Sequence, residues 1–277
     1  TASMPQRWED LLTQGLQWQE DPRLPVDTEA FCRRLMDRLR PALAAPREQL
    51  VTEDYLVFAV TELNDPVTAD ALLTSQGSLI AQLLRGEREP LSVQERDEVL
   101  RHRISYFASD LVVPTWNAAF VYDTDPGVVA ALEILEFANS QLLEFRYYDG
   151  LLDLELGRIY SQLQVEGLFH SWFGRRYTRA ARQLHALFID VNELTDKTEN
   201  ALKIAGDIYA ARLFGLAAAR LGLDHWKANV REKLKTLDDI YRFAVERTAM
   251  GRGEFLEATI VMILIFELVL FFMGIMK

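Results

Sequence analysis

Apolar positions recur along this chain with two different periods, and the change of period divides it. Near the start, Trp8, Leu11, Leu12, Leu16 and Trp18 share one helical face. Phe31, Leu35, Leu39 and Leu43 share another, with Asp21-Pro22 as a break between the two. Asp27 or Thr28 is a candidate cap for the second helix. Tyr55 to Val60 is rich in strand-forming residues and bounded by charge and Asn64-Asp65-Pro66, so it predicts a buried strand. Leu72 to Leu84 predicts a helix ending near Gly86, and Ser92-Val-Gln-Glu95 is a capping box for a short helix reaching His102. Three strand-like pieces follow: Ile104 to Phe107, Asp110 to Val113 and Ala118 to Tyr122.

Beyond Pro126 the period becomes helical throughout. Val128, Leu132, Leu135, Asn139, Leu142 and Arg146 open a seam with alternating steps of three and four, and apolar residues recur to Leu163. A second long helix is expected from Tyr177 to Leu221 on Leu184, Phe188, Val191, Thr195, Thr198, Leu202, Ala205 and Tyr209. After a turn at Leu221-Gly222-Leu223, a third uses Trp226, Val230, Leu237, Tyr241 and Ala244. The resulting expectation is an α+β protein. Residues 1–49 form a helical segment, 50–125 a small α/β domain and 126–253 an antiparallel, coiled-coil-like bundle; 254–277 form one C-terminal transmembrane helix.

That last element rests on residues 258–276, ATIVMILIFELVLFFMGIM, an apolar run with one charge. A helix of about 19 residues spans roughly 28 Å, close to the hydrocarbon thickness of a bilayer. Arg242, Arg247 and Arg252 precede it and Lys277 follows, which predicts a single-pass tail anchor with the bulk on the cytoplasmic or matrix side. Thr259, Ile260, Ile263, Glu267, Phe271 and Gly274 share one face. That face reads as an oligomer contact, with a proton or ion path through Glu267 as the alternative.

If the third helix descends to a membrane, the connection between the first two lies at the same end. It carries Phe169, Trp172, Phe173, Arg175, Arg176, Tyr177 and Arg179, a mixture of rings and cations suited to lipid headgroups. Packing of those rings under the bundle is the alternative.

Composition narrows the function classes. Apolar residues make up 49% of the 277 residues and charged ones 26%, as in a globular protein. A net charge of −11 argues against a general nucleic-acid binder. Cys32 alone supplies no disulfide framework. The opening Thr1-Ala2-Ser3-Met4 reads as a remnant before Met4 or as the edge of an internal fragment, and no signal peptide is visible.

His102, His170, His185 and His225 lack partners at metal-ligand spacing. No phosphate-binding or nucleophile motif is present. Glu133, Glu136, Glu144, Asp149, Asp153 and Glu155 read as a solvated helix surface. No catalytic, metal or cofactor residue is therefore expected.

Arg101-His102-Arg103-Ile104, followed by SYFASDLVVPTWNAAFVYD and a long helix, resembles the DUF155 family, which includes the required-for-meiotic-nuclear-division proteins and bacterial relatives. So does the charged helix through Arg252, Phe255, Leu256 and Glu257 into the apolar run with Glu267. The resemblance covers residues 100–160 and 223–277. It implies a membrane-anchored homo-oligomer without enzyme activity. The functional expectation is a non-enzymatic, oligomeric scaffold or tether on a lipid bilayer, offering its α/β domain to a protein partner. A channel or transporter-like assembly using Glu267 is the rival.

Overall fold

A computed structural model describes residues 7–43, 50–165, 189 and 208–272. The protein is mixed α+β, mostly helical around a three-stranded sheet. Its elements are α1 (Trp8–Gln19), α2 (Arg23–Leu39), a 3-10 turn (Arg40–Ala42), β1 (Leu56–Val60), α3 (Ala69–Arg85), α4 (Val93–Arg101), β2 (Leu111–Pro114), β3 (Ala118–Tyr122), α5 (Asp125–Val165), α6 (Ile208–Leu221) and α7 (Leu223–Phe272).

Local chemistry sets many of these ends. Thr68 and Ser92 accept hydrogen bonds from the backbone N–H groups of Ala71 and Glu95, capping α3 and α4. Gly86 ends α3 at φ 72° and Gly222 separates α6 from α7 at φ 68°; both lie in the left-handed region that glycine adopts without a Cβ penalty. The start of α2 differs from expectation. It begins at Arg23, ahead of Asp27 and Thr28, because the Asp21 carboxylate accepts from the Arg23 backbone N–H at 2.9 Å and so fixes the turn earlier. The Arg23 guanidinium bonds the same carboxylate, and that bond lowers the Asp21 pKa to about 2.

The sheet order is β1-β3-β2. β1 runs parallel to β3, pairing Phe58 with Phe120; β2 runs antiparallel to β3, pairing Val113 with Phe120. A parallel pair needs a crossover, which α3 and α4 supply. The hairpin from β2 to β3 closes on Thr115, whose N–H and hydroxyl both donate to the Ala118 carbonyl. Tyr55 donates from its hydroxyl to the same carbonyl at 2.9 Å, and burial pushes its pKa up.

Ile104 to Phe107 does not form the expected strand. Only Ile104 joins the sheet, through a two-bond bridge to Val112, and Tyr106 and Phe107 are exposed. Asp110 is the reason. Its buried carboxylate accepts from the N–H groups of Tyr106 and Phe107 at 2.7 and 2.6 Å, which folds the segment into a loop.

By its contacts the chain divides into two compact units: Thr1–Tyr147 with Thr198–Lys227, and Tyr148–Lys197 with Ala228–Lys277. In the first, α1 and α3 pack together and Trp8 lies 6.2 Å from Phe120. A Cβ on Gly15 would sit 2.9 Å from the Phe58 ring and closer still to Leu83, so only glycine permits this approach. α6 lies against β2, and Phe214 meets Phe137 of α5 at 5.5 Å. The buried stripe of α5 is Val128, Ala131, Leu135, Ala138, Leu142 and Phe145. Leu132 and Arg146, which the spacing placed on the seam, are both exposed. A mixed run of Leu and Ala fits two frames of the same period, and packing chose the one that turns small alanines inward. In the second unit, Leu152 and Ile159 of α5 are buried, as are Val230, Leu234 and Leu237 of α7.

The expected transmembrane helix is not supported. Among the described residues, no helix is long and apolar enough to cross a membrane. The single-pass C-terminal anchor and its sidedness are therefore not supported. Of the expected intramembrane contact, Ile263 is exposed, while the side chains of Thr259, Glu267, Phe271 and Gly274 lie outside the description. Phe169, Trp172, Phe173, Arg175, Arg176, Tyr177 and Arg179 lie outside the described residues, as does most of the expected second helix before Ile208.

Candidate interaction surfaces

Three places combine exposure with chemistry. The first is α2. None of its residues is buried. Leu24, Phe31, Leu35 and Leu39 are 46%, 58%, 42% and 45% exposed and fall on one helical face, with Cys32 half-buried at its border. A stripe of this width normally faces a core. On this helix it meets solvent, while the opposite side carries charges such as the Glu29–Arg33 ion pair. The sequence reading found the stripe but not its lack of cover, because periodicity reports a face and not what lies against it.

The second is the outer edge of β1. Leu56 donates to the Asn117 carbonyl, and Val60 accepts from Asp123. With the parallel register, the N–H and C=O groups of Leu56, Phe58 and Val60 therefore face β3, and those of Val57 and Ala59 face away. Among the described residues no other strand pairs with β1 on that side. The opposite edge of the sheet is managed differently. On β2, the Ile104 bridge takes up Val112, and Pro114 falls two residues later, where its missing N–H points outward.

The third lies in the second unit. Lys233 contacts Asp149 at 2.7 Å and Asp153 at 2.6 Å. Desolvation pulls the ammonium pKa down, but hydrogen bonds to the two carboxylates outweigh it and hold the value above that of a free lysine. Asp149 and Asp153 are thus a cation clamp, where a solvated acidic surface was expected; the spacing of four places both on one face but does not reveal Lys233. Among the described residues no group of histidine, cysteine and acidic side chains is arranged to hold a metal ion.

The Lys233 clamp makes a prediction for stability. Lys233→Met leaves two like charges facing each other and lowers stability by about 1–3 kcal/mol, with Asp153 partly relieved by solvent. Because the folded pKa lies above the unfolded one, the lysine's contribution is complete below the unfolded lysine range and disappears as pH rises through the folded value. Urea unfolding of both proteins at neutral pH and at about pH 11.5 checks this. A difference that does not shrink at high pH contradicts the clamp.

By architecture the described residues form an α+β fold, with a three-stranded mixed sheet and a helix, α2, whose apolar stripe is exposed. Residues 1–128, which hold the whole sheet and α1 to α4, match a family described as the N-terminal domain of uncharacterized protein MJ0711. The chain is 26% identical over 218 residues to uncharacterized protein MJ0711 of Methanocaldococcus jannaschii, which covers 79% of this chain and 65% of that protein. It therefore spans slightly less than two thirds of that relative's length. No solved structure matches. The DUF155 resemblance is not supported: its first segment, from Arg101 through Tyr122, falls inside the stretch that matches the other family. A short Arg-His-Arg-Ile run before a hairpin occurs too readily to carry a family assignment.

Proposed function

We propose that this chain is a non-enzymatic interaction scaffold that self-associates through α2 and offers its sheet unit to a protein partner. The observation that supports this is the uncovered stripe of α2, which is complementary to itself. Two copies laid antiparallel about a two-fold axis near residues 32 and 33 bring Phe31 beside Leu35 of the second copy. The same operation sets Asp27 opposite Arg38, and does so twice. Cys32 then lies near the axis. A channel-like reading depended on the membrane helix and is not carried further.

The test is the mass of the full chain by light scattering, beside Leu35→Glu and Asp27→Arg. We expect a dimer for the parent and a monomer for Leu35→Glu, a substitution at an exposed site that the fold tolerates. Asp27→Arg weakens the dimer by about 3–10-fold, and adding Arg38→Asp restores it. The sole cysteine offers a second readout, since a mild oxidant should cross-link Cys32 to its copy only when α2 meets α2. Equal masses and no cross-link would remove the self-association.

A further inference from the structure

We infer that the outer edge of β1 is a docking strand for an extended peptide segment with basic ends. This rests on the scaffold reading and names the chemistry of its partner. The backbone groups of Val57 and Ala59 face outward in the register given by the ladder, Ala59 is exposed, and no described strand covers them. LVFAV carries none of the devices that keep an edge closed: no lysine, no proline, no inward charge. The other edge of the same small sheet has both a bridge and a proline, so the openness is particular to β1.

Charge selects the occupant. Between Arg47 and Arg85 the sequence contains no lysine or arginine. It does contain Glu53, Asp54, Glu62, Asp65 and Asp70. Glu53 is engaged by Arg146 from α5. Asp54 and Glu62 are exposed, two residues before and two residues after the strand. Both ends of the edge are therefore negative.

Those acids also argue against a second copy as the occupant. Fully overlapped antiparallel pairing of β1 with itself matches Val57 to Ala59, and thereby sets Asp54 opposite Glu62 at both ends. Like charges directly opposite each other destabilise a ladder. An incoming strand with lysine or arginine at both ends meets the reverse situation. It gains main-chain hydrogen bonds along Val57 and Ala59 and ion pairs at each end.

The experiment uses the full chain and two capped nine-residue peptides, Lys-Lys-Val-Thr-Val-Thr-Val-Lys-Lys and its counterpart with glutamate in place of lysine. Binding is followed by fluorescence anisotropy of a labelled peptide. We expect saturable binding of the lysine form at least about tenfold tighter than the glutamate form, weakening as salt rises. Ala59→Pro removes one of the two donors that face outward, puts a ring on that edge and leaves the β1–β3 ladder intact, so it should abolish binding with the fold retained by circular dichroism. Asp54→Lys with Glu62→Lys should invert the preference. The same titrations on Leu35→Glu keep the two proposals apart: binding that persists in a monomer supports the edge whatever becomes of the dimer. Absence of binding by the lysine form overturns the docking strand, and so does binding that survives Ala59→Pro; equal affinity for both peptides overturns its charge selection.

Discussion

Phe120→Ala is expected to lower the stability of the sheet unit by about 3–5 kcal/mol. Phe120 sits at the centre of the middle strand, pairing with Phe58 on one side and Val113 on the other, and is fully buried. Trp8 of α1 lies against its ring, and the same cluster includes Leu72, Ile80 and Leu84 of α3. Truncation removes the transfer free energy of a phenyl ring and leaves a cavity that strands on both sides cannot close without breaking register. Urea unfolding monitored by far-ultraviolet circular dichroism measures the effect. A loss under about 1 kcal/mol would mean that this layer is not the core of the unit.

Asp110→Ala comes second, at about 2–4 kcal/mol, because two backbone N–H groups lose their acceptor in one step. The groups belong to Tyr106 and Phe107. Those rings stack edge to face at 4.8 Å, and Tyr106 also meets Tyr209 of α6 at 5.8 Å. The loop is therefore expected to loosen together with the start of α6. Asp110→Asn keeps one side-chain oxygen as acceptor and should recover part of the loss. Amide hydrogen exchange at positions 106 and 107 checks the local claim separately from global stability. Unchanged protection there, despite a drop in stability, would assign the effect to packing around residue 110 and not to its hydrogen bonds.

Legibility in the sequence followed the range of the forces involved. Ser92 and Gly86 mark helix ends because a cap or a left-handed glycine acts within a few residues, and the helices stop where those residues stand. The strand at Leu56–Val60 and the one at Ala118–Tyr122 were readable for the same reason: branched and aromatic residues run together between breaks. The segment from Ile104 to Phe107 has the same local composition, yet a carboxylate at Asp110 claims its N–H groups before a neighbouring strand can. In the candidate surfaces, the stripe of α2 and the acidic flanks of β1 are present as patterns, but neither says whether it is covered.

What the sequence determined by itself is thus most of the short helices and strands before Pro126, their approximate ends and the faces on which apolar and charged residues collect. Each depends on backbone geometry and near neighbours. Strand order and direction came only with the tertiary structure, as did the inward turn of Ala131 and Ala138 and the pairing of Lys233 with Asp149 and Asp153. So did the difference between the two edges of the sheet. All of these join residues far apart in the chain. A helical or alternating period fixes which side of an element seeks a partner, but the partner is chosen by what the rest of the chain, or another molecule, brings to that side.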